Sequence, residues 1–144
     1  MAYSVKQVGG KRLGYIKLRD FNSLAIPGMK SAVQSLDGEH VDALVLDLRG
    51  NTGGGFQFAL NIGGMFMDKK QMVTAVAKND DRSVFASSFQ GGVLSRLPLV
   101  VWMDGLSASA SEVLAGGNSN CMHASLAHPS TRHAPKDVYL LCKT

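Results

Sequence analysis

The stretch VDALVLDLRGNTGGGF at residues 41–56 decides the fold. Residues 41–48 form a nearly continuous apolar run, which is typical of a strand buried on both faces of a sheet. The segment RGNTGGG at 49–55 breaks this run sharply, and FQFALNIGGMFM at 56–67 returns to the apolar spacing of a helix. The chain therefore passes from a buried strand through a glycine-rich loop into a helix, which favours an α/β fold.

Strands and helices alternate on both sides of this stretch. RLGYIKL at 12–18 alternates apolar and polar residues and predicts a half-buried strand, while PGMKSAVQSLDG at 27–38 has the apolar spacing of one helical face. The apolar segments within 72–89 flank polar NDDR and predict a hairpin. LPLVVWMD at 97–104 predicts a second buried strand, followed by a helix from about Ser109. Central strands are therefore expected to pack beneath helices.

Composition indicates a globular domain and excludes several classes of function. The chain has 144 residues, of which 45% are hydrophobic, and a formal net charge of +4. Its basic residues are scattered without an aromatic-basic stripe, so we expect a solvated surface and no nucleic-acid partner. No apolar run approaches the roughly 18 residues of a membrane span. The N-terminal MAYSVKQVGGKRLGY has no signal-peptide pattern, so no export signal is visible.

The character of the sequence changes near residue 117. The segment 118–144 contains both cysteines and three of the four histidines, and it lacks strand or helix periodicity. Only DVYLLC at 137–142 has the pattern of a short strand. We therefore expect a core over 1–117 and a divergent, poorly ordered tail over 118–144, as in a splice variant or a frame-shifted gene model.

The glycine-rich loop can present backbone N–H groups at the start of a helix, which suits an anion or an oxyanion. A dinucleotide loop needs G-x-G-x-x-G, and a phosphate loop needs a lysine where this chain has Phe56. Both nucleotide interpretations fail, which leaves an oxyanion site or a plain tight turn. No cofactor is predicted. No metal is predicted either, because His123, His128 and His133 recur at a spacing that places neighbours on different helix faces.

Asp47 and Arg49 stand at the end of the first buried strand. They lie two residues apart, so both side chains are expected on the same side of the sheet. One interpretation is a surface ion pair that contributes little to stability. The other is a pair that braces the loop between the two buried strands.

The serines of GLSASASE at 105–112 place a candidate nucleophile where a strand gives way to a helix. A serine hydroxyl needs a base to remove its proton. His40, in the helix-to-strand connection DGEHVD, is expected to face solvent, so a Ser-His-Asp arrangement has no support. The remaining choice is a Ser-Lys pair with a lysine desolvated enough to be neutral.

Residues 13–117 resemble the catalytic core of the carboxyl-terminal processing peptidases, also called tail-specific proteases. The resemblance is carried by GYIKLRDFN, VDALVLDLRGNTGGGF and LPLVVWMDGLSASASEVLAG and by their spacing. They are most similar in character to the plant and algal type, which trims the precursor of a photosystem II reaction-centre subunit in the thylakoid lumen. The resemblance implies an α/β fold of the Clp protease/crotonase-like kind, built of strand-strand-helix units and incomplete at the C-terminus.

The same resemblance implies the activity and the roles of a small set of residues. The activity is serine-type cleavage near the C-terminus of protein or peptide partners, in the thylakoid lumen or the bacterial periplasm. Ser109 is the implied nucleophile, with Ser107 and Ser111 as structural serines. The implied oxyanion donors are the backbone N–H groups of Ala110 and of Gly54 or Gly55, and the implied supporting charges are Asp47, Arg49 and Glu112.

The resemblance ends after the serine helix. The family's general-base lysine would fall near Ala134 here, where no lysine has the family's surroundings. Lys136 is close in number, but Pro135 disrupts its approach and Asp137 favours a charged ammonium, the wrong state for a base. We therefore identify no general base and expect the chain as written to be inactive.

Two other classes of function are open alternatives. One is a pseudoprotease that binds extended C-terminal peptides without cleaving them. The other is an acyl-CoA enzyme of the crotonase type, which shares the core architecture, although the SASASE stretch argues against it. The resemblance also implies a peptide-binding PDZ domain before the core and closing strands after the lysine, and this sequence shows neither.

Overall fold

A computed structural model describes residues 1–68, 71–76, 82–118 and 137–142 of the chain. The secondary structure in these ranges comprises β1 (Ala2–Val8), β2 (Lys11–Lys17), α1 (Ala25–Gly38), β3 (Ala43–Asp47), α2 (Phe56–Gly63), β4 (Gln71–Val76), β5 (Arg82–Ala86), β6 (Leu99–Asp104), α3 (Ala110–Asn118) and β7 (Asp137–Cys142). The predicted α/β class is confirmed, as are the strands, helices and hairpin expected before residue 118.

The described strands form one five-stranded sheet in the order β1-β2-β3-β6-β7 and a separate β4-β5 hairpin. The three central strands, β2, β3 and β6, run parallel, while β1 and β7 are antiparallel to their neighbours. Parallel strands send their following loops to the same edge of the sheet. The loops after β3 and β6 therefore emerge side by side.

One face of the sheet is covered by the helices and holds the core. Alternate residues of the strands point to this face, including Leu44 and Leu46 of β3 and Val101 of β6, and all are buried. The apolar helical face predicted for α1 packs against these strand residues. Its members are each at most 1% exposed: Met29, Ala32, Val33 and Leu36. This packing of helices on the sheet fixes the position of the sheet edge from which the loops after β3 and β6 emerge.

β6 corrects one prediction. Its apolar run was expected to be buried on both faces, but burial alternates along the strand. Leu99, Val101 and Met103 are buried, whereas Val100 and Trp102 are half-buried. The second face of the sheet is thus less covered than a fully apolar sequence suggests, because the described helices pack on the other face.

β1 was not predicted. It forms a hairpin with β2 through Gly9 and Gly10, which have φ angles of 56° and 77°. A two-residue turn with both φ angles positive matches the twist of antiparallel strands, and glycine adopts it without steric cost. The Gly-Gly pair was the signal that could have revealed this strand.

The predicted boundary at residue 117 stays a prediction. α3 continues to Asn118, and residues 119–136, on which most of the expected disorder falls, lie outside the described residues. The short strand expected in DVYLLC is confirmed as β7, which pairs with β6 from Leu99↔Cys142 to Asp104↔Asp137. Among the described residues, no helix has the length and apolar character needed to cross a membrane.

We expect Leu46→Ala to lower the free energy of unfolding by about 2–5 kcal/mol, because it opens a cavity at a fully buried site in β3. Leu24→Ala removes the same atoms from a residue that is 75% exposed, and should change stability by less than about 0.5 kcal/mol. Urea denaturation of both variants measures the difference. Equal losses would contradict the described core.

Candidate active site

The loops after β3 and β6 meet at the edge of the sheet. We call residues 49–55 the glycine loop and residues 105–109 the serine turn. The carbonyl oxygen of Asn51 accepts hydrogen bonds from the N–H of Ala108 at 3.1 Å and from the hydroxyl of Ser111 at 2.9 Å. These hydrogen bonds hold together the two loops that the parallel pairing of β3 with β6 places side by side.

The contact between the loops leaves no room for a side chain at Gly53. A Cβ atom added there would lie 2.9 Å from the Cβ of Ser109 and 3.0 Å from the carbonyl oxygen of Ala108. Gly53 also has a φ angle of 110°, which L side chains rarely adopt. Glycine at this position allows Ser109 to sit directly against the loop.

Ser109 occupies the turn between β6 and α3 with an unusual backbone. Its φ angle is 55°, in the left-handed region that a non-glycine residue enters at a cost. Its N–H donates to a carboxylate oxygen of Glu112 at 2.8 Å. This is the return half of a capping box, in which the third helical residue reaches back to the residue before the helix. Within the described part of the chain, the exposed Ser109 hydroxyl has no hydrogen-bond partner.

Backbone hydrogen bonds distinguish the two glycines considered as oxyanion donors. The N–H of Gly55 donates to the carbonyl of Phe21 at 2.7 Å, so it is already engaged. The N–H of Gly53 is likewise engaged, by the side-chain oxygen of Asn51 at 2.8 Å. The Gly54 N–H has no acceptor among the residues that the structure describes. Of the two predicted glycines, Gly54 is therefore the one available.

The second predicted donor lies beside the same loop. The Ala110 nitrogen would be 3.1 Å from a Cβ added at Gly53, and it belongs to the first residue of α3. An N–H in the first turn of a helix has no acceptor within that helix. Gly53 thus lies against both Ser109 and the Ala110 nitrogen, and Gly54 is the next residue of the same loop.

Asp47 and Arg49 form a pair as expected, with a buried carboxylate and a partly exposed guanidinium. The Asp47 side chain is 1% exposed, and it accepts hydrogen bonds from Arg49 Nε at 3.0 Å and from an Arg49 terminal nitrogen at 2.8 Å. The Arg49 guanidinium lies 4.8 Å from the centre of the Trp102 ring. The interpretation of a weak exposed pair is therefore wrong.

Two partners of Asp47 escaped the sequence analysis. The Tyr15 hydroxyl donates to Asp47 at 2.5 Å, and Lys17 Nζ donates at 3.1 Å. Both come from β2, whose alternate residues Tyr15 and Lys17 stand beside β3 on the same face as Asp47. The alternation in RLGYIKL was the signal, because it placed these two polar groups on one side of the strand.

The charges around Asp47 hold it ionised. Burial alone would raise the pKa of Asp47, but the hydrogen bonds from Arg49, Tyr15 and Lys17 outweigh it and keep the pKa well below its usual range. The pKa of Tyr15 is raised, first by burial and then by its bond to the carboxylate. Asp47 is therefore an anion that anchors three donors.

The flanking serines are tied to backbone groups. The Ser107 hydroxyl donates to the carbonyl of Leu48 at 2.9 Å, and the Ser111 hydroxyl donates to the carbonyl of Asn51. The first bond joins the serine turn to the residue after β3, and the second joins α3 to the glycine loop. Asn51 was missed by the sequence analysis, although it is fully buried and joins three segments of chain.

Some sequence predictions concern residues beyond this site. His40 is exposed, as expected. Lys136, Cys121 and the other three histidines lie outside the described residues, so the structure gives no account of a general base there. No group of three potential metal ligands occurs in the portion that the structure covers.

An exposed serine and backbone N–H groups without an acceptor are two of the parts that serine hydrolases use, a general base being the third. Comparison with known proteins agrees: residues 12–120 match the model of Peptidase family S41. The chain belongs to this family. The membership confirms the resemblance drawn from the sequence.

Individual relatives support the same assignment. The chain is 36% identical over 105 residues to carboxyl-terminal-processing peptidase 2, chloroplastic, of Arabidopsis thaliana, covering 73% of this chain and 20% of the relative. It is 33% identical over 121 residues to the carboxy-terminal processing protease CtpB of Bacillus subtilis, covering 83% of this chain and 25% of that protein. The chain therefore spans a quarter or less of these relatives.

Solved structures show the same fold. A photosystem II D1 C-terminal processing protease superposes with a TM-score of 0.69 at 35% identity, over 76% of this chain and 28% of that one. A putative S41 protease from Bacteroides fragilis superposes with a TM-score of 0.66 over 99% of this chain and 45% of that one, and at 16% identity it supports the fold alone. The predicted Clp protease-like fold class is confirmed.

We expect Asp47→Asn to destabilise the chain and to flatten its acid sensitivity. The folded pKa of Asp47 lies below the unfolded value of about 3.9, so its ionisation stabilises the fold above that value, and this contribution is lost as the pH falls below about 4. The substitution should lower the free energy of unfolding by about 1–3 kcal/mol at pH 7.

Urea denaturation between pH 7 and pH 3 measures both effects. Asp37→Asn makes the same chemical change at an exposed position of α1 and should leave the free energy of unfolding at pH 7 unchanged. If Asp47→Asn left the acid-side slope as steep as in the parent, the buried carboxylate would not be the anchor described.

Proposed function

We propose that this chain is the core of a serine-type endopeptidase in which Ser109 is the nucleophile. One observation carries the proposal: the exposed Ser109 lies against Gly53 of the glycine loop, and the N–H groups of the next residue, Gly54, and of Ala110 have no acceptor among the described residues. Family membership supports the reaction class. The substrate carbonyl would enter between the glycine loop and the start of α3.

In this proposal, Ser109 attacks the carbonyl carbon and the developing oxyanion accepts hydrogen bonds from Gly54 and Ala110. Each such donor typically stabilises the transition state by about 3 kcal/mol. The positive end of the α3 dipole favours the same negative charge. Glu112 acts as a positioning residue, because its bond to the Ser109 N–H holds the turn in its left-handed conformation.

The proposed general base is a lysine, in a Ser/Lys dyad of the family's type. Such a lysine has to be neutral, which requires burial away from carboxylates. Lys17 does not meet this requirement, since it donates to Asp47. Lys136 carries the sequence objections given above, so we assign no base within these 144 residues.

The names of relatives support a substrate class and a compartment. Relatives in Arabidopsis thaliana and Tetradesmus obliquus are named chloroplastic C-terminal processing peptidases, and a cyanobacterial relative is named a carboxyl-terminal-processing protease. We propose that the substrates are C-terminal segments of proteins and that the compartment is the thylakoid lumen or the bacterial periplasm.

We expect the 144-residue polypeptide to show negligible peptide cleavage and no labelling by serine-directed acylating probes. Without a base the hydroxyl stays protonated, and losing the base of a catalytic unit costs roughly 10⁴–10⁶-fold in turnover. Replacing residues 118–144 with a family segment that carries the lysine and the closing strands should restore cleavage. Turnover of a C-terminal peptide substrate by each of the two proteins measures both effects.

Two serine variants make this test specific. In the lysine-bearing protein, Ser109→Ala should abolish cleavage, whereas Ser31→Ala should retain it, because Ser31 is an exposed residue of α1 outside both loops. Cleavage that survives Ser109→Ala would refute the nucleophile. Cleavage by the unmodified chain that is lost on Lys136→Ala would identify Lys136 as the base.

The alternative is a pseudoprotease that binds peptides without cleaving them. It is favoured by the formed loops and available donors in a chain with no assigned base. This function predicts saturable binding of an extended C-terminal peptide, measured by fluorescence anisotropy, with unchanged binding after Ser109→Ala. An absence of binding by the unmodified chain would dismiss this alternative.

A further inference from the structure

One peptide group of the glycine loop is held from both sides by charged residues. The carbonyl oxygen of Arg49 accepts a hydrogen bond from Lys17 Nζ at 2.5 Å. The N–H of the same peptide, contributed by Gly50, donates to an Asp104 carboxylate oxygen at 2.9 Å. A cation therefore holds one end of the Arg49–Gly50 peptide dipole and an anion holds the other.

The two charged residues come from different strands. Lys17 ends β2 and Asp104 ends β6, and these strands flank β3 on either side. The loop that leaves β3 is thus held by both neighbours of its own strand. Lys17 is 32 residues from Arg49 and Asp104 is 54 residues from Gly50, so neither bond is a local turn interaction.

Each charged residue also belongs to a second network. Lys17 donates to the buried Asp47. Asp104 accepts the N–H groups of Leu106 at 3.0 Å and Ser107 at 3.1 Å, both in the serine turn. The held peptide therefore joins the Asp47 cluster to the segment that leads into Ser109.

The held peptide needs such support because of Gly50. This residue has a φ angle of 71° and no side chain to restrict it, so rotation of the peptide plane costs little. The next residue, Asn51, binds the N–H of Gly53 and the backbone of the serine turn. Rotation of the plane would displace Asn51 and, through it, the Gly54 N–H.

We propose that Lys17 and Asp104 are positioning residues that fix the Arg49–Gly50 peptide plane and thereby aim the Gly54 N–H at the space beside Ser109. The proposal rests on the proposed function in one respect, namely that the Gly54 N–H stabilises an oxyanion. Neither residue touches the reacting atoms. Their effect reaches the site through the peptide and Asn51.

The test follows backbone amides of the full chain by ¹H–¹⁵N spectroscopy and hydrogen exchange, which require no catalytic activity. Asp104→Ala should speed exchange of the Gly50 amide at least about tenfold, because its acceptor is gone. Asp104→Ala and Lys17→Met should each shift the Gly54 and Ala110 resonances. The double variant should shift them no further than the larger single effect, since either loss frees the same plane.

Conservative and matched variants separate positioning from general destabilisation. Asp104→Asn keeps an acceptor oxygen and Lys17→Arg keeps a donor, so both should retain most of the parent resonances of Gly54. Asp42→Ala removes a carboxylate that accepts a backbone N–H, from Arg12 at 2.7 Å, at a different turn. It should leave Gly54 and Ala110 unchanged. The proposal would be overturned if the Gly54 and Ala110 resonances stayed in place in both Asp104→Ala and Lys17→Met. It would also be overturned if Asp42→Ala shifted these resonances as far as those two variants do.

If a variant does not fold, a pH titration of the unmodified chain, followed by its amide proton shifts, tests the same proposal. The bonds from Gly50, Leu106 and Ser107 to one carboxylate predict that their amide protons shift with one common midpoint as Asp104 is protonated. If the Gly50 amide proton shifted with a different midpoint from the other two, or did not shift with pH, the proposed positioning role of Asp104 would be overturned. These readouts involve no turnover, so an inactive chain would leave the proposal intact.

Discussion

The parallel pairing of β3 with β6 is the constraint on which the site depends. Their register, from Leu44↔Leu99 to Asp47↔Trp102, ends both strands at the same edge of the sheet. The two following loops then have to share a space so small that Gly53 contacts Ser109 without a side chain between them. A shift of one residue in this register would turn core residues to the opposite face and separate the loops.

Charged side chains hold the two loops in addition to the backbone pairing of the sheet. Backbone pairing places the loops, but a glycine loop has little rigidity of its own. The buried Asp47 gathers donors from β2 and from the loop, while Asp104 gathers donors from the loop and the serine turn. Because Asp47 is buried, water cannot replace the hydrogen bonds that its carboxylate accepts from the protein. Loss of a partner would therefore be costly. The site is held by the ends of three strands together.

Much of this could be predicted from sequence patterns. The continuous apolar run of β3, the helical spacing of α1 and the serine cluster identified the elements, and the family resemblance brought Ser109, Gly54 and Ala110 into consideration. The choice between Gly54 and Gly55 could not be made, because it depends on a hydrogen bond to Phe21 from another part of the chain. Lys17, Asn51 and Asp104 were missed for the same reason. Their partners lie far away in sequence, and no local period reports such contacts.

The left-handed backbone of Ser109 has a consequence for how this chain can change. A side chain in that conformation costs about 1–2 kcal/mol, and glycine would relieve the cost. Glycine also has no hydroxyl. Selection for greater stability would therefore favour glycine at this position, while retention of the proposed nucleophile favours serine. A lineage released from selection for cleavage should lose the hydroxyl here before it loses the buried residues that keep the domain folded.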